Sequence, residues 1–378
     1  MCNRPLLRAL TAFPIAIVLV VSACGQAASL PKAASTVATK PTVEATSSPA
    51  AAATANPTPT LSTAAPVTLS FGMIPAVPAA PNYVALDKGY LKEEGIDLSI
   101  HDFPDTVQIM TLIATGKLQI GPVTLGAAAF NSFARKTDMI IVAGQNQEPD
   151  GPGSLVPLVV RKDLYDSGQI RTVADLKGKK VALNGRGTVL EWAMAKLLEK
   201  GNLKLEDVDI PLLAWPDMVI ALSNKAIDAG LIGEPLATKA VEQGVGVKLV
   251  DDYVPYGQYG VILVNKVFAK ENPLVVRNYL VAYVKAIREM NDGKFKDDPE
   301  DLEIISKYTK VPVDVIKKMP APYWDPNGRV NKDSVMDIQR FLLQRKSVHY
   351  TDPLPISAIL DESYLEQALA IAGTVPRR

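Results

Sequence analysis

From Val67 onward, short apolar runs alternate with longer stretches in which apolar positions recur at helical spacing. "VTLSFGM" predicts a strand, "NYVALDKGYLKEEG" a helix ending at Gly95, and "IDLSIHDF" a second strand. "DTVQIMTLIATGK" then reads as a helix and "LQIGPVT" as a strand, and "LGAAAFNSFARKT" with "DMIIVAGQ" repeats the alternation. After the Gly/Pro-rich break "EPDGPGS", "LVPLVVRKD" predicts a further strand. A second series follows: "GKKVALN", a helix from Thr188, "DVDIPLLAW" as a strand ending in Trp215, "IDAGLIG", "VGVKLV" and "QYGVILVNKVF". Beyond Val267 the pattern is helical, as in "PLVVRNYLVAYVKAIREMND" and "NKDSVMDIQRFLLQRK". Strands separated by helices predict an α/β fold of two lobes, each a mostly parallel sheet flanked by helices, with a helical C-terminal tail.

The first 66 residues break this pattern. Arg4 and Arg8 precede an apolar run from Ala9 to Val21 that is short for a bilayer span, which predicts a leader over residues 1–23. Val21-Ser22-Ala23-Cys24 resembles the lipobox of bacterial lipoproteins, which implies diacylglycerol and acyl chains on Cys24 and a lipid-anchored protein facing the periplasm or the extracellular side. In the stretch 25–66, 32 of the 42 residues are Ala, Thr, Ser or Pro and none is aromatic, so 24–66 is expected to be a lipidated, disordered linker.

Composition removes several chemistries. Forty Lys+Arg balance forty Asp+Glu, which leaves no electrostatic footprint for nucleic acid. Cys2 and Cys24 are the only cysteines, so the predicted folded part has no thiol nucleophile, disulfide or cysteine-based metal site. His101 and His349 are the whole histidine supply, and neither falls on a predicted site turn. The turn Asn184-Gly185-Arg186-Gly187-Thr188 between a strand and a helix invites a dinucleotide reading. Leu190 stands where that fingerprint needs its third glycine, and the next predicted strand ends in Trp215 rather than an acid. No cofactor and no metal are expected.

"APNYVALDKGYLKEEGIDLSI" is similar to the opening signature of ABC-importer solute-binding proteins of the sulfonate, nitrate and thiamine-pyrimidine (hydroxymethylpyrimidine synthase-like) group. "ATGKLQIGPVT", "DLKGKKVAL", "AIDAGLIGEP", "VNKVFAKENP" and "DESYLEQAL" resemble later signatures in the same order, over about residues 67–372. The resemblance implies a periplasmic-binding-protein-like clamp of type II. Lobe I would comprise 67–160 and 261–378, and lobe II 161–260, with the crossings near Leu158–Arg161 and Gly260–Asn265. A small nutrient would bind between the lobes of a monomer and pass to ABC permease and ATPase subunits. No enzyme activity is implied.

Candidate ligand contacts sit where strands or turns meet the expected cleft. Asn82 and Tyr83 open the first helix, Thr124 follows the third strand, and Gln145 and Asn146 follow the fourth. Asn184, Gly187 and Thr188 place a helix N-terminus whose amides suit a ligand oxygen, or form a tight turn holding no ligand. Trp215 and Tyr256 offer rings, whereas Trp192 reads as core. Asp217 is either a ligand contact or a helix cap, and Glu234 in "GEP" is a hydrogen-bond acceptor. Arg and Lys do not converge on these turns, so the pattern points to a flat heteroaromatic vitamin or precursor of flavin or pyrimidine type. The alternatives are an aliphatic sulfonate, taurine or nitrate binder, a pyrimidine-precursor synthase-like enzyme, or a sensory lipoprotein.

Overall fold

The computed structural model describes residues 66–376, so the leader, Cys24 and the linker up to residue 65 fall outside the described residues. The first sheet contains β1 (Val67–Met73), β2 (Ile96–Asp102), β3 (Ile120–Thr124), β4 (Met139–Gly144) and β9 (Gly260–Asn265), in the order β2-β1-β3-β9-β4. The second contains β5 (Leu158–Arg161), β6 (Val181–Ala182), β7 (Ala229–Leu231) and β8 (Gly246–Val250), in the order β6-β7-β5-β8. β4 and β9 are buried along their whole length, and apolar except for Asn265 at the end of β9, as strands covered on both faces should be. The chain passes from sheet to sheet between β4 and β5 and returns between β8 and β9.

The sheets are mostly parallel, with one reversed strand in each: β9 runs antiparallel to β3 and β4, and β5 antiparallel to β7 and β8. Both strands enter their sheet from the other one with no crossover helix to set direction, so antiparallel pairing is open to them. β5 pairs only within the second sheet, so the chain leaves the first sheet before Leu158. "DVDIPLLAW" is not a strand: it touches its neighbours through isolated bridges at Asp209 and Leu212, and Trp215 opens the helix Trp215–Ser223. Likewise the first predicted helix is two, Ala80–Asp87 and Tyr90–Glu93, divided at Gly89, whose φ of 79° is left-handed.

The C-terminal helices serve both sheets. Pro273–Met290 buries Val276, Tyr279, Tyr283 and Ile287 and packs on Ala80–Asp87 beside the first sheet. Lys332–Gln344 packs instead on the helix Val189–Glu199, which follows β6 of the second sheet.

Candidate functional site

A cavity of about 420 Å³ opens between the two sheets. The first sheet contributes the turn 74–78 after β1, Pro122 to Thr124 at the end of β3, and Gln145 and Asn146 after β4. The second side contributes Leu155 and Val156, Val189 and Leu190 at a helix start, Trp215, and the turn 233–235 after β7. Thr106, Tyr259 before β9 and two residues of the C-terminal region, Val311 and Met319, complete the wall. The carboxyl ends of strands from both sheets therefore face one space, the usual ligand position in open α/β sheets. Most of the wall is apolar, and no Lys, Arg or His lies among its described residues.

Trp215 lies half-buried on the Gly233 backbone, where a Cβ would come within 2.6 Å of its ring. Its indole nitrogen is sealed in the protein without a hydrogen-bond partner, so the ring face is what it offers the cavity. Glu234 lines the cavity, but its side chain is only 1% exposed and is held by Lys248 Nζ at 2.6 Å and by the Thr238 N–H and hydroxyl at 3.0 Å each. The Glu234 carboxylate is thus already taken by partners within the protein, where the sequence suggested an acceptor for ligand donors. Thr124 is exposed at the β3 end, and Gln145 anchors its N–H on the Gly260 carbonyl at 2.9 Å.

Behind this wall the two connections between the sheets meet. Glu148 of the outward one is 3% exposed, and the Ser154 and Tyr259 hydroxyls face its carboxyl. Burial pushes the Glu148 pKa up to about 7, against the lowering effect of those two hydroxyls, with a smaller upward push from Asp251. Tyr253 hydrogen-bonds the Val156 carbonyl at 2.7 Å and the Tyr259 hydroxyl at 3.2 Å, and burial pushes its own pKa far above the usual range.

The remaining sequence candidates lie off the cavity wall. Asn82 is buried, donating to the Ala79 carbonyl at 3.2 Å and accepting from the Tyr279 hydroxyl at 2.6 Å, so both ends of its amide are used inside the fold. Tyr83 stacks on Tyr308 with ring centroids 4.4 Å apart. Tyr256 packs against Tyr323 and donates to Asp150 at 3.3 Å. Asp217 is exposed in the first turn of its helix, whose cap position is Ala214, and Asn184 is exposed in the turn after β6.

Gly187 and Thr188 have a different task from the expected one. Thr188 does cap its helix, accepting from the Glu191 N–H at 3.2 Å. The neighbouring groups are spent on the other lobe, because the Gly187 carbonyl accepts from Ala127 N–H at 2.8 Å and Val189 N–H donates to the Leu125 carbonyl at 3.2 Å. Gly126 and Thr188 thus form an antiparallel bridge across the cleft. Glu191, buried beneath the turn, takes the Gly187 N–H at 2.7 Å and pairs with Arg186 at 3.1 Å. This turn fastens the lobes together rather than presenting amides to a ligand.

One acidic group among the described residues has metal-like spacing, with Glu289, Asp298 and Asp301 oxygens within 4.8 Å of one another. Lys88 Nζ already occupies its centre, 2.7 Å from Asp301 and 3.2 Å from Asp298 and in contact with Glu289, so the group already holds a cation of the protein's own.

Comparison with known proteins now bears on the fold and the cleft. Residues 78–293 match the family model described as NMT1/THI5 like. The chain belongs to that family. It is 27% identical over 218 residues to the putative aliphatic sulfonates-binding protein of Escherichia coli, a match covering 57% of this chain and 63% of that protein's length. It is 26% identical over 296 residues to the riboflavin-binding protein RibY of Chloroflexus aurantiacus, covering 75% of this chain and 74% of that one. The crystal structure of the periplasmic aliphatic sulphonate-binding protein SsuA from Escherichia coli superposes with a TM-score of 0.64 at 20% identity, over 78% of this chain and 92% of that one. That likeness establishes a periplasmic-binding-protein fold.

The wall contains residues that sequence reasoning did not select: Pro75, Leu155, Val156, Val311 and Met319. Each is an apolar residue in or beside a turn, and the only available signal was its position next to a strand end or Pro/Gly break.

Proposed function

We propose that this protein is the lipid-anchored solute-binding component of an ABC importer, and that it captures a flat, uncharged heteroaromatic nutrient of flavin or pyrimidine type between its lobes. The observation that carries the ligand class is the cavity wall. It is apolar over most of its area, carries the Trp215 ring face, and has one charged side chain, Glu234, which Lys248 already neutralises. A sulfonate or nitrate ion entering it would meet no Lys, Arg or His among the described lining residues, and an unpaired charge is costly to desolvate. The relatives named for binding sulfonates and riboflavin support a solute-binding role. In this reading the protein acts as a monomer, its two lobes close by hinge motion, and the ligand passes to a permease and its ATPase. The wall presents no thiol, imidazole or free carboxylate among its described residues, which supports a binder over an enzyme.

Thermal unfolding of the full chain tests this reading with riboflavin, 4-amino-5-hydroxymethyl-2-methylpyrimidine, taurine and nitrate. A ligand at 100 times its Kd adds about 2.7 kcal/mol to stability. A shift with a heteroaromatic and none with the anions is the expected result. A shift with taurine or nitrate alone would refute the ligand class. Mass spectrometry of the N-terminal peptide checks the anchor, and an unmodified Cys24 would remove it.

A further inference from the structure

Four carboxamides cluster where the outward and return connections leave the first sheet: Gln145, Asn146, Gln147 and Gln258. Two of them are structural. Gln147 donates to Gln258 Oε1 at 2.9 Å and to the Arg329 carbonyl at 3.1 Å. Gln258 donates to the Gly260 carbonyl at 2.6 Å and accepts from Asn331 N–H at 2.9 Å. The other two differ. Asn146 is 8% exposed and its main-chain carbonyl is occupied by Tyr259, Gly260 and Gln258, yet its side-chain amide bonds to no protein group among the described residues. The Gln145 side-chain amide is equally unengaged, although its N–H is fixed on the Gly260 carbonyl.

These two amides, and not the structural pair, line the cavity. Gly260 makes room for both, since a Cβ there would lie 2.1 Å from Gln145 Oε1 and 2.8 Å from Asn146 Oδ1. Their oxygens therefore rest on bare backbone, and any larger residue would dislodge them. Buried polar groups in proteins are nearly always paired, so the unpaired amide of buried Asn146, beside that of half-buried Gln145 in the cavity wall, calls for a partner from outside the chain.

We propose that Gln145 and Asn146 determine ligand specificity by hydrogen bonding edge-on to a lactam or imide group of the bound ring. A carboxamide holds a donor and an acceptor side by side, and a lactam or imide presents the complementary N–H and C=O in one plane. An imide, with a carbonyl on each side of its N–H, can satisfy a carboxamide in either orientation. Sulfonate and nitrate carry acceptors only and would leave the amide oxygens facing lone pairs. The ring face would lie along the apolar wall and Trp215 while its polar edge reaches these two residues. This inference rests on the heteroaromatic reading given above.

The probes are riboflavin, whose ring system carries an imide, and N3-methylriboflavin, in which that N–H is blocked. Titration calorimetry on the full chain compares wild type with Gln145→Ala and Asn146→Ala. Wild type should bind riboflavin about 10-fold to 100-fold more tightly than the methylated form, the cost of leaving a built hydrogen-bonding site unmatched. Each alanine variant should lose riboflavin affinity and shrink that ratio toward one, with an unchanged thermal midpoint showing that the fold is intact. Equal wild-type affinity for the two flavins overturns the pairing even if a variant misfolds, because that comparison needs no substitution. Tight binding of the aminopyrimidine probe, which has neither lactam nor imide, with no flavin binding overturns the pairing and leaves the heteroaromatic reading standing. Binding of taurine or nitrate alone, or of no probe, overturns both.

Discussion

Trp215 and Gly233 form one device. The glycine lets the indole lie flat on backbone, and the sealed indole nitrogen leaves only the ring face to contribute. Stacking on an aromatic face adds about 0.5–1.5 kcal/mol beyond the apolar area it covers. Trp215→Ala should therefore weaken a flat heteroaromatic by at least about tenfold, while changing affinity for an aliphatic compound far less. Calorimetry with both ligand types decides, and equal losses would mean that the tryptophan only fills space. Lys248 acts at the same scale by occupying Glu234, so an acid that reads as functional in the sequence is structural in the fold.

The two inter-sheet connections are the elements on which the proposed closure would turn, and Glu148 is buried at their meeting point. Its pKa of about 7 lies above the ordinary value of 4.5, so between those values the folded chain keeps a proton that the unfolded chain releases. The resulting stabilisation is complete below about pH 4.5 and is lost as pH rises through about 7. Its full size is on the order of 3 kcal/mol, from 1.36 kcal/mol per unit. Urea unfolding at pH 5 and pH 8 should show the wild type losing more stability than Glu148→Gln across that interval, and parallel losses in the two proteins would refute the assignment. Elements such as β4 and β9 were legible because uninterrupted apolar runs identify buried strands. The insertion of β9 between β3 and β4 was not, since register and direction come from partners more than a hundred residues away. The same distance hid the fate of Asn82 and Tyr83. Their place at a helix start suggested a ligand, but Tyr279 and Tyr308 of the helical tail claim them. Turn residues on the cavity wall were hidden for another reason: an apolar side chain in a turn looks the same whether it meets core or ligand.

Across the whole molecule, the helix Lys332–Gln344 ties the second lobe to the tail. Asp337 accepts the Trp192 indole N–H at 2.8 Å and pairs with Lys196 at 3.1 Å, and Arg345 pairs with Glu206 at 2.5 Å. Together with the Gly126–Thr188 bridge, these contacts hold the lobes against each other. Asp337→Ala should leave the buried indole N–H unpaired at a cost of about 1–3 kcal/mol. If the helix is a latch, ligand affinity falls roughly tenfold or more and the ligand-free protein expands in small-angle scattering. A stability loss with unchanged affinity and radius would reduce the contact to simple packing.

The place of Val311 and Met319 in the cavity wall also has a consequence for synthesis. One wall of the cavity is made soon after Val67, but its cover emerges some 240 residues later. The latch helix follows later still. A growing chain can complete its second sheet first and its first sheet only once β9 has emerged, and the chamber has no cover until Val311 and Met319 follow. Ligand capture is therefore a property of the finished polypeptide, and a chain cut before Val311 would keep all nine described strands while losing part of the pocket.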